Sequence, residues 1–185
     1  MAARGTNKAV FLDRDGVLNR AVVRDGRPFP PSSIEEVELI SGVAEACAEL
    51  RAVGALLFCV TNQPDVARGT AQREEVAAIN QRLQQELALD EVATCYHDDI
   101  DDCDCRKPRP GMLIDLAARH SVQLDRSVMV GDRWRDVEAG IRAGCRTVFI
   151  DYGYREDSPG TADVTAGSLA DALPWILNFL NTGKS

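Results

Sequence analysis

The sequence predicts an α/β fold, a doubly wound parallel sheet with helices on both faces. Short apolar runs alternate along the chain with segments whose apolar residues recur at helical spacing. This order is typical of parallel sheets, in which a helix crosses over between successive strands. Acidic motifs follow two of the apolar runs directly, at Asp13-Arg14-Asp15-Gly16 and at Gly131-Asp132. Open parallel sheets bind ligands at the carboxyl ends of their strands, so these motifs indicate where to look for a site.

The elements follow in order from periodicity and from cap residues. Strands are predicted at residues 9–12, 55–60, 92–96, 128–130 and 146–150. A first helix is predicted from about Ser41 to Gly54, and a second is indicated by the apolar stripe Val76, Ile79, Leu83 and Leu87. A third helix follows Pro110, and a fourth runs from about Trp134 to Ala143, with Gly144 as its cap. The last helix is predicted over residues 169–180. Pro174 is expected to interrupt or begin the last helix. The proline-rich segment 21–33 is predicted to be a loop over the site.

Length and charge narrow the class of protein. The 185 residues, 45% of them hydrophobic, suit a single domain over residues 1–185. The net charge of -8 disfavours nucleic acid and anionic membranes as partners. Neither a signal-peptide pattern nor an apolar stretch of membrane-spanning length is found, so we expect a cytoplasmic protein. No pattern points to an oligomer, and a monomer is expected.

The motif at residues 13–16 places two carboxylates at one strand end. Alternate side chains of an extended strand share a face, so Asp13 and Asp15 are expected to point the same way and Arg14 the opposite way. Such a pair suits magnesium-assisted attack on phosphorus, with one carboxylate as nucleophile and the other moving the proton. A solvated turn is the alternative interpretation.

Three further positions favour phosphoryl chemistry. Thr61, with the amides that follow it, could hold phosphoryl oxygens. Lys107 could balance the charge of nucleophile and phosphate, although a basic pair is more often plain surface. Asp132 and Asp136 lie four residues apart and share a face if a helix begins there. Asp132 is then a candidate magnesium ligand, and Asp136 a residue that orients the site.

The segment 95–105 contains a complete set of ligands for one tetrahedral metal ion, namely Cys95, His97, Cys103 and Cys105. Four protein ligands leave no open position, so a structural zinc site is predicted. A redox pair or surface thiols are the competing interpretations. Zinc would fix the loop that carries Arg106 and Lys107. The other three cysteines lie in apolar patterns and are predicted core residues.

Together these residues resemble the haloacid dehalogenase superfamily of phosphatases, whose four motifs occur here in the expected order. The resemblance implies that Asp13 forms an aspartyl-phosphate and that Asp15 protonates the leaving oxygen and then activates water. Thr61 and Lys107 would stabilise the phosphoryl group. The resemblance also implies Mg²⁺ held by Asp13, the backbone carbonyl of Asp15, and Asp132.

Within the superfamily, Cys-x-His, Cys-x-Cys and Arg-Lys-Pro resemble the D-glycero-D-manno-heptose 1,7-bisphosphate phosphatases and the histidinol-phosphate phosphatases, which have little or no cap domain. The implied function is magnesium-dependent removal of the 7-phosphate from the heptose bisphosphate, on the way to nucleotide-activated heptose. Histidinol phosphate or another small sugar phosphate is the alternative substrate. A zinc-pinned binding module without catalysis is the alternative outside enzymes.

The resemblance also suggests substrate contacts. Arg106 and Arg133 are the candidates that it favours, and Asn62, Gln63 and the loop at residues 21–24 are weaker ones. Extra cations near the pocket suit a bisphosphate, because the phosphate that is not cleaved must also be held. The segment Pro64-Asp65-Val66 departs from the Ser-Gly-Ile type expected of the heptose enzymes.

Overall fold

The computed structural model describes residues 7–157 and 159–183, and a six-stranded parallel sheet forms its centre. The strands in this part of the chain are β1 (Lys8–Leu12), β2 (Val22–Arg24), β3 (Arg27–Phe29), β4 (Ala55–Asn62), β5 (Glu91–Cys95), β6 (Val128–Gly131), β7 (Arg146–Ile150) and β8 (Val164–Ala166). The helices are α1 (Val43–Ala52), α2 (Arg73–Glu86), α3 (Gly111–Arg119), α4 (Trp134–Ala143) and α5 (Leu169–Thr182).

The main sheet has the strand order β5-β4-β1-β6-β7-β8, which confirms the predicted doubly wound α/β fold. Buried side chains of α1, α2 and α5 form one core cluster with one face of the sheet. Those of α3 pack with the opposite face, where Gly140 of α4 also lies against Met129. The chain leaves β1 for β4 and later returns to β6 on the other side. The strand order therefore reverses beside β1, which is where such sheets form a ligand crevice.

The segment 21–33, predicted to be a loop, contains the antiparallel hairpin β2–β3. Asp25 and Gly26 at its tip have φ angles of 51° and 76°. Positive φ at both central residues is the mark of a type I′ turn, for which Asp-Gly is a preferred pair. The prolines suggested irregular backbone, but Pro28 is accommodated in a two-stranded ribbon whose strands are both edges. The hairpin tip is attached to a distant loop, because the Arg155 amide donates to the Gly26 carbonyl at 3.0 Å.

The last helix neither begins nor breaks at Pro174, so that prediction was wrong. α5 begins at Leu169, where the Ser168 hydroxyl accepts a hydrogen bond from the Asp171 amide at 3.1 Å. This cap fixes the start of the helix one turn before the proline. Apolar residues of α5 on both sides of Pro174 are buried in the core, and this packing maintains the helix across it. No helix among the described residues is long and apolar enough to cross a membrane.

Candidate active site

Three neighbouring strands deliver polar side chains to one edge of the sheet. Leu12 at the end of β1 lies in register with Cys59 of β4 and Val130 of β6. Asp13 follows Leu12 directly, and Thr61 and Asp132 lie two residues after Cys59 and Val130. All three are buried. The Asp13 amide donates to the Val130 carbonyl at 2.9 Å, which ties the end of β1 to β6. Adjacent parallel strands thus bring together residues that are more than a hundred positions apart in sequence.

A buried lysine joins two of the carboxylates at this edge. The Lys107 ammonium lies 2.7 Å from Asp13 Oδ1, 2.6 Å from Asp136 Oδ1 and 2.7 Å from the Val60 carbonyl, with 2% of its side chain exposed. Burial alone would lower its pKa, but the two carboxylates raise the pKa of Lys107 above its ordinary value. Lys107 therefore remains a cation and neutralises part of the charge around Asp13.

The carboxylates outnumber this cation. Ligand oxygens of Asp13, Asp132 and Asp136 lie within 4.8 Å of one another. Among the described residues, neither oxygen of Asp132 has a hydrogen-bond partner at ordinary distance, although the nearby Tyr154 hydroxyl acts to lower the pKa of Asp132. Burial, reinforced by Asp13 and Asp136, raises the pKa of Asp132 well above its usual value. Burial also raises the pKa of Asp13 to about 6 despite Lys107. An unpartnered buried carboxylate among other anions fits a divalent cation with oxygen ligands.

Two glycines make room for these acids. Gly16 has a φ of 93°, and a Cβ built on it would overlap Asp132 Oδ2. A Cβ on Gly131 would overlap the Cβ of Asp136. Any side chain at either position would therefore move a carboxylate of the cluster.

Asp15 is held by a separate set of donors, and Arg14 is one of them. The Arg14 guanidinium lies 3.0 to 3.1 Å from the Asp15 oxygens, and the side-chain amides of Asn19 and Gln63 each donate to Asp15 at 2.9 Å. The prediction that Arg14 points away from Asp15 was wrong, because β1 ends at Leu12 and strand alternation does not extend past it. Arg14 is fully buried and is itself fixed by Asn80 of α2 at 3.0 Å.

Two of the weaker substrate candidates, Asn62 and Gln63, have structural partners, and none of residues 21–24 lines the inner pocket or the vestibule described below. Asn62 Nδ2 donates to the Lys107 carbonyl at 3.0 Å, and Asn62 Oδ1 accepts from the Lys107 amide at 3.1 Å. Gln63 Nε2 donates to Thr61 Oγ1 at 2.9 Å as well as to Asp15. Asn62 therefore joins the end of β4 to the loop that carries Lys107, and Gln63 links Thr61 to Asp15.

The two arginines named from sequence make ion pairs. Arg106 donates to Asp99 at 2.8 Å and to the His97 carbonyl at 3.2 Å. Arg133 Nε donates to Glu156 at 2.8 Å, and its guanidinium lines the cavity beside Asp13. The structure therefore places Arg133 at the pocket and directs Arg106 toward the acidic loop.

Cys95, His97, Cys103 and Cys105 converge on one point, as their spacing predicted. The ligand atoms of neighbouring pairs lie 3.1 to 3.7 Å apart, and all four lie within 4.8 Å of one another. A tetrahedral zinc ion with typical bond lengths separates its ligand atoms by roughly 3.6 to 3.8 Å. The quartet is therefore arranged to hold a metal ion. The three other cysteines are buried, as predicted.

Two connected cavities lie above the carboxylates. The inner pocket has a volume of about 60 Å³ and is lined by residues 13, 15, 28–30, 61, 62, 107, 133, 135 and 136. The vestibule, of about 680 Å³, is lined by residues 27–30, 62–65, 68, 133–135 and 155–157. Asn62, Arg133, Arg135 and the 28–30 segment line both, so the vestibule leads into the inner pocket.

Sequence reasoning missed several residues of this site. Asn19 and Asn80 lie in unremarkable segments, and the sequence contains no signal that would link them to Asp15. Asp25-Gly26, by contrast, is a recognisable hairpin signal, and it would have located β3, whose residues 28 and 29 line the inner pocket.

Comparison with known proteins gives consistent matches. The HAD-hydrolase-like family model matches residues 104–172. A D-glycero-beta-D-manno-heptose-1,7-bisphosphate 7-phosphatase from Haemophilus influenzae is 35% identical over 188 residues, covering 94% of this chain and 98% of that protein. The enzyme of the same name from Pasteurella multocida is 35% identical over 189 residues, covering 95% and 99%.

A solved structure agrees with these relatives. The D,D-heptose 1,7-bisphosphate phosphatase from B. bronchiseptica, complexed with magnesium and phosphate, superposes with a TM-score of 0.80 at 30% identity. The match covers 92% of this chain and 98% of that one.

Proposed function

The chain belongs to the haloacid-dehalogenase-like hydrolases, in the family of D-glycero-D-manno-heptose-1,7-bisphosphate 7-phosphatases, and from this premise we propose that it removes the 7-phosphate of the heptose 1,7-bisphosphate. The observation that carries the proposal is the inner pocket, where Asp13, Thr61 and Lys107 line a space of about 60 Å³. This space is small, and the proposed nucleophile and the buried lysine both line it, as a site for one phosphoryl group requires.

We assign the first step to Asp13 and Asp15. An oxygen of Asp13 attacks phosphorus, the bond from phosphorus to the C7 oxygen breaks, and Asp15 donates a proton to that oxygen. Arg14, Asn19 and Gln63 orient Asp15 for this transfer. Lys107 balances the charge on the phosphoryl oxygens, and the Thr61 hydroxyl donates a hydrogen bond to them.

The second step reverses these roles. Asp15 takes a proton from water, whose oxygen attacks phosphorus, and the bond to Asp13 breaks to release inorganic phosphate. Asp13, Asp132 and the backbone carbonyl of Asp15 are the groups that we assign to holding Mg²⁺, and Asp136 keeps Lys107 in place. When bound, Mg²⁺ supplies positive charge that stabilises the phosphoryl oxygens.

We assign structural zinc to the Cys95, His97, Cys103 and Cys105 quartet. The segment 95–105, which carries the quartet, directly precedes Arg106 and Lys107. Asp99 in this segment forms ion pairs with Arg106 and Arg135. Zinc would therefore help to position the lysine that contacts Asp13. Thiolate ligands are best preserved in a reducing compartment, which supports action in the cytoplasm. We propose that the whole chain, residues 1–185, is one phosphatase domain.

The test of function is phosphate release with magnesium from both anomers of heptose 1,7-bisphosphate and from histidinol phosphate. We expect kcat/KM for one bisphosphate anomer to exceed that for histidinol phosphate by at least about a hundredfold, which equals about 2.7 kcal/mol of transition-state discrimination. Preference for histidinol phosphate would contradict the substrate assignment, but the assignment of phosphatase activity would stand. Release of phosphate from none of the three would contradict both.

Gly16→Ala is expected to weaken magnesium binding, because the new Cβ would displace the Asp132 carboxylate. The magnesium concentration for half-maximal activity should rise about tenfold to a hundredfold. Gly54→Ala is the matched control, since Gly54 also has a positive φ, of 78°, but no atom of the described residues lies within 4 Å of its Cβ position. Equal magnesium dependence in the two variants would show that Gly16 does not act through Asp132.

Cys103→Ser is expected to lower zinc content and stability together. Loss of one ligand from a closed metal site removes binding energy that stabilises the fold, and we expect the melting temperature to fall by roughly 5 to 10 °C. The segment with Arg106 and Lys107 should become sensitive to trypsin. Cys145→Ala, which removes a thiol outside the quartet, should keep its zinc. An unchanged melting temperature with full activity would refute the structural role of the metal.

A further inference from the structure

The vestibule is positively charged although the chain as a whole is acidic. Five arginines line it, at positions 27, 68, 133, 135 and 155, against three carboxylates, at positions 65, 156 and 157. The net charge of the whole chain is -8. A local excess of arginine in an acidic protein indicates an anionic ligand at that place.

Three of the five arginines already have carboxylate partners. Arg68 contacts both oxygens of Asp98 at 2.7 Å, Arg133 pairs with Glu156, and Arg135 lies 3.3 Å from Asp99. Within residues 7–157 and 159–183, neither Arg27 nor Arg155 has a carboxylate partner. Their guanidinium groups are therefore the ones in the vestibule that can take up a new anion without first losing an ion pair.

The fold holds Arg27 and Arg155 beside each other. Arg27 is the first residue of β3, directly after the turn at Asp25-Gly26. The Arg155 amide donates to the Gly26 carbonyl at 3.0 Å, and the Arg155 side chain passes so close to Gly26 that a Cβ there would lie 3.0 Å from its Cδ. Two separate segments are thereby joined at one side of the vestibule, with an unpaired arginine on each.

The sizes of the two cavities indicate which part of the substrate each one holds. The inner pocket, of about 60 Å³, contains the proposed nucleophile, and the adjoining vestibule is far larger, at about 680 Å³. We therefore place the phosphoryl group under attack in the inner pocket, and the sugar with its other phosphate in the vestibule. A volume of about 680 Å³ is within the range of pockets that hold ligands of this size. Guanidinium groups suit phosphate because they donate two parallel hydrogen bonds to its oxygens.

We propose that Arg27 and Arg155 bind the phosphate that is not cleaved, the 1-phosphate of the bisphosphate, and thereby determine the preference for a bisphosphate over a monophosphate. This inference rests on the proposed function. Because these arginines contact a group remote from the reacting phosphorus, they contribute binding that is equal in ground state and transition state. Their loss should therefore raise KM and leave kcat nearly unchanged.

The test compares Arg27→Gln, Arg155→Gln and the double variant on two substrates, heptose 1,7-bisphosphate and heptose 7-phosphate. Each single change should raise KM for the bisphosphate by about tenfold to a hundredfold, the range expected for a charge-assisted hydrogen bond. KM and kcat for the monophosphate should stay within about twofold, and Arg27→Lys should recover part of the loss. The bisphosphate preference of the double variant should nearly disappear.

Arg126→Gln is the matched control. Arg126 is exposed, and it lines neither the vestibule nor the inner pocket. It should behave as wild type on both substrates. An equal rise in KM for bisphosphate and monophosphate, or no rise in the double variant, would overturn the assignment of Arg27 and Arg155. The proposed function would still stand in that case, provided that the wild-type enzyme hydrolyses the bisphosphate. A wild-type enzyme that does not prefer the bisphosphate would overturn the proposed function and this assignment together.

Discussion

Asp13→Asn is expected to reduce hydrolysis of every phosphate ester, good or poor leaving group alike, by a factor on the order of 10⁴ or more. The amide cannot form the acyl-phosphate. Asp15 cannot replace it because Arg14, Asn19 and Gln63 hold its carboxylate, and Asp132 follows a different strand, β6. The fold should persist, since Asn keeps an oxygen that can accept from the Lys107 ammonium now 2.7 Å from Asp13.

Single-turnover phosphate release from the heptose bisphosphate and from an aryl phosphate measures this effect. Asp125→Asn, the same chemical change at an exposed acid, serves as the control and should leave both rates unchanged. Rates in Asp13→Asn within tenfold of wild type would contradict the assignment of Asp13 as nucleophile.

Lys107→Met is expected to produce the largest loss of stability. The ammonium lies between Asp13 and Asp136 in the protein interior, and its removal leaves carboxylates buried without their cation. Breaking a buried ion pair in this way costs about 3 to 5 kcal/mol of unfolding free energy. For a chain of this size that corresponds to a decrease in melting temperature of about 10 °C. Activity should be lost as well, since Lys107 lines the inner pocket.

Urea unfolding without magnesium measures this loss, because an added cation would itself offset the buried charge. The double variant Lys107→Met, Asp136→Asn removes one of the orphaned carboxylates. Its loss of unfolding free energy should be smaller, by at least about 1 kcal/mol, than the sum of the losses in the two single variants. Strictly additive losses would show that Lys107 and Asp136 do not stabilise each other.

The sequence predicted correctly those features that follow from local residue patterns or from the order of the strands. Alternating apolar runs predicted the parallel sheet, Gly144 predicted the end of α4, and the cysteine and histidine spacing predicted the quartet that the structure brings together. These features depend on residues close in the chain or on strands that must be neighbours. Asp13 and Asp132 could be placed at one edge for the same reason.

Other features depend on partners that no local rule identifies. Arg14 turns back to Asp15 because the strand has already ended, and a buried amide from α2 holds it there. Arg133 and Arg68 are paired with acids 23 and 30 positions away, which separates them from the unpaired Arg27 and Arg155. Sequence resemblance singled out Arg133 among the five, but no sequence pattern distinguishes Arg27 and Arg155 from Arg68 and Arg135. What sets Arg27 and Arg155 apart is their tertiary surroundings.

The space made by Gly16 and Gly131 also limits how this chain can change over evolutionary time. Every single-nucleotide change of a glycine codon that does not end the chain or remain silent introduces a residue with a Cβ. At these two positions that atom would overlap Asp132 or Asp136. Neither glycine can therefore be replaced by a single mutation without disturbing a carboxylate. Gly160, by contrast, has no positive φ and no atom of the described residues within 4 Å of its Cβ position, so it can be replaced more freely. Among active descendants of this chain, the two glycines should stay fixed even where residues that contact the substrate diverge.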